Sequence, residues 1–175
     1  MSVKHALLAL LDEEPMYGYQ LRAAFEERTA ETWPLNIGQV YTTLSRLERD
    51  GLVEGGDTDD DGHQIYKLTD AGRAELTDWF GSAVPRTQPP RDELAIKVAL
   101  AVSAPGLDPT AVIQRQRSAT MSALQGYNRL KRQTTDLAYE LVLDSLAFAA
   151  EAEIRWLDHC DARLRRVADH PDGAR

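Results

Sequence analysis

The sequence predicts a mainly α-helical chain in two parts: helices closed by a short hairpin, then helices alone. Three observations predict it. Apolar residues recur at three- and four-residue spacing through most of the 175 positions. The β-compatible runs 52–54 and 64–69 are joined by a Gly/Asp-rich turn. Pro85, Pro89 and Pro90 interrupt the chain near its middle, each fixing φ and removing an amide donor.

Each element follows from local chemistry. Val3, Leu7, Leu10 and Leu11 lie at helical spacing, and Pro15 ends that helix. Leu21 and Phe25 mark a second short amphipathic helix over 19–28. It is broken at Trp33-Pro34, because a residue before proline avoids the α region. A third helix, 38–50, carries Val40, Leu44 and Leu47 on one face and stops at Gly51, where glycine accepts the left-handed conformation. After the hairpin, Thr69 is an N-cap for a helix over 70–80, with Ala71, Leu76, Trp79 and Phe80 expected to pack inward.

In the second half Asp92 caps a helix reaching Val102, and Pro105-Gly106 breaks it. Asp108-Pro109 opens the next, which runs to about Gln133. Residues 136–167 hold neither Gly nor Pro, and a helix so long needs a partner along its length. Three helices in under 90 residues form a thin core, so a second copy of the chain is the expected partner. Its expected contacts are Tyr139, Leu143, Leu146, Ala150, Ile154 and Leu157.

Composition narrows the function. The net charge is −8, and it is unevenly placed. Residues 1–85 hold 7 basic and 16 acidic side chains, a net of −9, while the remainder carries +1. Bulk charge of this sign argues against nucleic acid as a partner, which a basic domain normally signals. The longest apolar run, Ala6 to Leu11, is too short to span a membrane and lacks a signal-peptide cleavage site, so a cytoplasmic protein without a membrane partner is expected. A single cysteine, Cys160, offers neither a disulfide framework nor a zinc site. No phosphate loop, nucleophile elbow or paired acid and base occurs, so neither catalysis nor a cofactor is expected. His159, Cys160 and Asp161 resemble a triad only on paper, since consecutive helical positions point about 100° apart. Residues 57–62 match the first half of a calcium loop, but Leu68 stands where the bidentate glutamate belongs, so no metal site is assigned.

The third helix reverses the inference from bulk charge. Three helices and a hairpin in about 70 residues is the order of a winged helix-turn-helix, whose third helix enters the major groove. Opposite its apolar face, Gln39, Thr42, Thr43 and Arg46 fall on one stripe. Gln reads adenine, Arg reads guanine, and threonine offers a hydroxyl and a methyl group. Tyr41, Ser45 and Arg49 lie where phosphates would pass. A polar stripe alone describes any solvated helix face; its place just before a hairpin gives it meaning.

Three segments, Tyr17-Gly18-Tyr19-Gln20-Leu21, then 41–53 ending in Gly51-Leu52-Val53, then Tyr66-Lys67-Leu68-Thr69-Asp70-Ala71-Gly72, resemble the motifs of PadR-type transcriptional regulators. The resemblance covers residues 2 to about 80, and the helical second half is similar to the longer subgroup of that family. It implies a winged helix-turn-helix DNA-binding domain over 1–84, a proline-rich linker over 85–91 and an all-α dimerisation domain over 92–170. The function it implies is that of a homodimeric repressor of a palindromic DNA operator, released by a small molecule or other signal. Recognition contacts then fall on Gln39, Tyr41, Thr42, Thr43 and Arg46, and wing contacts near His63, Gln64 and Lys67. The wing departs from the family pattern, carrying Asp57, Asp59, Asp60 and Asp61 where basic residues are usual. Trp33, Trp79 and Trp156 are the flat surfaces on which an aromatic effector could stack, although packing is the commoner role for such residues. The alternative is an acidic dimeric module that binds proteins or senses small molecules without touching DNA.

Overall fold

A computed structural model describes residues 3–58, 62–84 and 91–169. The expected linker, apart from Arg91, and three of the four wing aspartates, Asp59, Asp60 and Asp61, lie outside the described residues. The chain divides into two compact units, Met1–Pro85 and Arg86–Arg175.

The first unit contains α1 (Val3–Glu13), α2 (Gly18–Arg28), α3 (Ile37–Arg49), β1 (Val53–Thr58), β2 (Gln64–Leu68) and α4 (Asp70–Gly81). Its core is built from the periodic residues: Leu7, Leu8, Leu21, Val40 and Leu44 are fully buried, with Leu47, Val53 and Tyr66 beside them. Asn36 caps α3 by accepting the amide of Gly38, 2.8 Å. At the other end Gly51 turns at φ +73°, with its amide on Glu48 O and the Leu52 amide on Leu47 O. This is a Schellman stop, and it sends the chain directly into β1.

The two motifs that carry the family resemblance meet at this stop. The Thr69 hydroxyl donates to Gly51 O, 2.7 Å, and accepts the Gly72 amide, 3.1 Å, while the Thr69 amide bonds Leu52 O. Gly72 is buried against the Leu52 carbonyl, so close that a Cβ would overlap it. Thus α4 starts on top of the turn that ends α3.

The hairpin is larger than its sequence suggests. β1 continues through Gly55, Gly56 and Asp57, which read as turn, and pairs antiparallel with β2 in the register Val53↔Leu68, Glu54↔Lys67, Gly55↔Tyr66, with a bulge before Thr58↔Gln64. Met16 adds a bridge on the far side of β2 through two backbone bonds to Tyr66, of 3.2 and 3.0 Å. In α4 the expected inward set is corrected. Leu76 is buried, but Ala71 and Trp79 are exposed and Phe80 is 69% exposed, because Gly72 rather than Ala71 faces the turn.

Glu26 ties the loop between α2 and α3. Its Oε1 accepts the Leu35 amide, 3.1 Å, and Arg22 Nε, 3.0 Å, across a turn in which Ala30 and Glu31 both adopt positive φ. The Arg22 hydrogen bond, reinforced by that amide, holds its carboxyl below the usual 4.5. Hydrogen bonds from Arg28 do the same for Glu13, and those from Lys4 and then His5 for Glu75. A carboxylate with a depressed folded-state pKa stabilises the fold above its unfolded value and loses that contribution as pH falls through the folded value. The thermal midpoint should therefore hold down to about pH 5 and drop below it, more gently in Glu26→Gln. Circular dichroism melts across that range check this, and a midpoint level to about pH 3 would contradict it.

The second unit comprises α5 (Glu93–Ser103), α6 (Pro109–Lys131) and α7 (Leu137–Asp169). Asp92 and Asp108 cap α5 and α6 through the amides of Ala95 and Thr110. α6 and α7 form a hairpin tied by Arg117–Asp158, 2.7 Å, and by Lys131–Asp144. Val98, Ile113 and Leu157 make the core, with Trp156, Cys160 and Leu164 around them. Most of the residues expected at a dimer interface already have cover within the protomer. Leu143, Ala150, Ile154 and Leu157 are buried within the protomer, covered by its own helices, and Tyr139 and Leu146 are half-buried. The apolar side chains left uncovered are others, among them Leu137, Leu141 and Phe148 of α7 and Ile96, Leu100 and Val102 of α5. Among the described residues no helix is long and apolar enough to cross a membrane.

Candidate nucleic-acid interface

The Schellman stop and the Asn36 cap fix the limits of α3, and the burial of Val40, Leu44 and Leu47 fixes its rotation. What remains outward is the stripe: Gln39, Thr42 and Arg46 are exposed and Thr43 is half-buried. The Thr42 hydroxyl donates to Gly38 O and the Thr43 hydroxyl to Gln39 O, both at 2.7 Å. With their protons used inside the helix, these threonines present acceptor lone pairs and methyl groups outward.

Gln39, Thr43 and Arg46 line a groove of about 370 Å³ together with Val3, Lys4, Leu47 and Asp50. Lys4 therefore stands beside the stripe, its Nζ 2.6 Å from Glu75 Oε1. Nothing local in the sequence marks this position; Lys4 is the only basic residue before Arg22 other than His5, but its approach to α3 depends on how α1 packs.

The flanking residues play mixed parts. Arg49 is paired with Asp50, 3.0 Å, so its charge is partly offset before any phosphate arrives. Tyr41 is exposed along one edge and packs over Gly18, where a Cβ would meet its ring at 2.7 Å. Tyr19 meets Tyr41 edge-on at 6.4 Å. His63 stacks on Tyr17, with centroids 4.7 Å apart, and meets Tyr19 edge-on, which turns it back toward the start of α2. Gln64 accepts the Tyr66 hydroxyl, 3.1 Å, while Lys67 is exposed on β2. Burial, with Glu48 and Tyr41 nearby, pushes the Tyr66 hydroxyl above its usual pKa. Glu48, which the sequence reading did not single out, accepts the Gly55 amide at 3.2 Å and so joins α3 to β1.

The three tryptophans differ in setting. Trp33 is exposed before α3, and Trp79 stacks on His5 with centroids 5.1 Å apart and also touches Phe80. Trp156 belongs to the other unit, where it packs at the edge of the core. No cluster of potential metal ligands occurs among the described residues.

Comparisons with known proteins point the same way for both units. The pattern of the transcriptional regulator PadR-like family matches residues 7–78, and that of the virulence activator alpha C-terminal region matches residues 90–165. A probable transcriptional regulator of Mycobacterium tuberculosis is 27% identical, over 94% of this chain and 98% of its own. The negative transcriptional regulator PadR of Bacillus subtilis is 26% identical, over 89% of this chain and 93% of its own. Crystal structures of that PadR share the fold at 22% identity: with operator DNA at a TM-score of 0.76, covering 93% of this chain and 99% of that one, and with p-coumaric acid at 0.79, covering 94% and 99%.

Proposed function

Because the chain belongs to the PadR-like family of transcriptional regulators, we propose that it is a homodimeric repressor whose α3 reads a palindromic operator in the major groove. The observation that carries this reading is the α3 stripe. Gln39, Thr42, Thr43 and Arg46 stand opposite the buried Val40, Leu44 and Leu47, and Asp50, the one carboxylate among the described residues lining the groove of Gln39, Thr43 and Arg46, is engaged by Arg49. Lys4 joins the set as a phosphate contact once it exchanges Glu75 for DNA. Tyr41, Arg49, Gln64 and Lys67 flank the duplex, and His63 acts by holding the wing.

The proposed division is a DNA-binding domain over 1–84, a linker over 85–91 and a dimerisation domain over 92–170. The uncovered apolar side chains of α5 and α7, Ile96, Leu100, Leu141 and Phe148, support association through the second domain. Two α3 helices about 34 Å apart would read successive major grooves. The B. subtilis relative has been crystallised with an aromatic acid, which supports a small aromatic effector here too; Trp33 and Trp79 in the first unit, and separately Trp156 in the second, are candidate contacts.

Footprinting upstream of the chain's own gene, followed by gel-shift titration, tests the reading. Arg46→Ala should weaken specific binding by about 1–3 kcal/mol and relax preference at one base pair, whereas Lys67→Ala should weaken all sequences alike. An Arg46→Ala protein with unchanged affinity and specificity would refute this placement of α3. An acidic reading domain also predicts weak non-specific affinity and a shallow salt dependence.

A further inference from the structure

We propose that Glu75 is a built-in competitor of DNA: it holds Lys4 as a phosphate would, and so sets the general affinity of the α3 surface for duplexes of any sequence. The proposal rests on the placement of α3 against DNA given above and concerns the backbone side of that contact. Lys4, on α1, lines one groove with Gln39, Thr43 and Arg46 of α3. A duplex read by those side chains passes within reach of its ammonium. In the free protein Lys4 Nζ lies 2.6 Å from Glu75 Oε1 on α4.

Exposure decides what such a pair can do. The two side chains are 39% and 37% exposed, so the ion pair is solvated and contributes little to the fold. Its lysine exchanges one anion for another at small cost, and a DNA phosphate is such an anion. Glu75 does not follow it. The same Oε1 is 3.0 Å from His5 Nε2, and the imidazole stacks on Trp79 with centroids 5.1 Å apart and planes 4° from parallel. A carboxylate only accepts, so Nε2 carries the proton. Glu75 therefore keeps a donor after Lys4 leaves, and the exchange orphans no group. The Lys4 and His5 hydrogen bonds hold its carboxyl below the usual 4.5, so it stays ionised, and competing, through the neutral range.

Two measurable quantities depend on this pair. An ammonium bound to a carboxylate presents almost no net charge, so bringing it to DNA displaces few counterions. Freed of Glu75, it neutralises one phosphate, which is about 0.9 in the slope of log affinity against log salt. Phosphate contacts position a protein without reading sequence. Operator and random duplex should therefore gain alike, which separates Glu75 from Arg46, whose loss is expected to relax preference at one base pair.

Fluorescence anisotropy titrations of the full-length protein with the footprinted duplex and with a random-sequence duplex, between about 50 and 200 mM salt, test the assignment. Glu75→Gln should bind both duplexes about two- to fivefold tighter, the range an exposed ion pair is worth, with a salt slope steeper by about 0.9. Asp78→Asn, which removes an equal charge from an exposed position one turn further along α4, should give less than half that gain. In a Lys4→Met background the gain from Glu75→Gln should fall to the level of Asp78→Asn. Unchanged affinity and slope in Glu75→Gln would overturn the proposal. A gain that survives in Lys4→Met, or that Asp78→Asn matches, would overturn it too, because either marks an effect of bulk charge. If Arg46→Ala weakens the operator while Glu75→Gln does nothing, the reading of α3 stands and the competitor fails; if Arg46→Ala does nothing either, both fail.

Discussion

Gly72→Ala is expected to destabilise the first unit by about 3 kcal/mol and to abolish operator binding, although alanine is normally the better helix former by about 1 kcal/mol. The steric effect wins because the added Cβ enters the space of the Leu52 carbonyl oxygen, a backbone atom fixed by its bond from the Thr69 amide. Relief requires α4 to lift from the α3–β1 turn, which disturbs the end of α3 and the root of the hairpin together. Gly126→Ala, within α6 and with nothing in the space a Cβ would fill, should instead stabilise the second unit by up to about 1 kcal/mol. Urea denaturation of both variants reads the opposite signs. A Gly72→Ala protein as stable as the parent would mean that α4 does not start against this turn.

Leu157→Ala carries the second large effect, about 4 kcal/mol, near the upper part of the range for buried leucines. Among the described residues the side chain is fully buried in a cluster whose other buried members are Val98 and Ile113, so removing it takes away much of this small core. Thermal unfolding should show the second unit melting well before the first, and on the proposed dimeric reading size-exclusion runs should show the dimer lost over the same range. Leu164→Ala, at a partly covered position, should cost clearly less. Equal effects at the two positions would place the core elsewhere.

Much of this was legible in the sequence because it is local. Periodicity located the helices, Gly51 the stop of α3, and Thr69 the start of α4. Once Val40, Leu44 and Leu47 were assigned to the core, the stripe followed from helical geometry alone. Features set by distant partners were not legible. Gly55-Gly56-Asp57 reads as turn by composition, yet pairing with β2 and the Glu48 hydrogen bond draw part of it into a strand. Met16 becomes a bridging residue only because β2 arrives beside it, and Lys4 reaches the groove of α3 only through the packing of α1. The apolar spacing of α7 identified a face that needs covering, but spacing cannot say by which chain. For Leu143 and Leu157 the cover is the protomer's own.

The Glu48–Gly55 bond, the Met16–Tyr66 bridge and the stacking of His63 on Tyr17 brace the hairpin from three directions. Among the described residues the hairpin is thus tied at three points, α3 among them, and on the proposed reading helix and hairpin would meet DNA as one lever. A signal that lowers DNA affinity has little purchase on the shape of this lever. If the proposed homodimer forms, such a signal is expected to change sensitivity to the operator's half-site spacing more than to its base sequence.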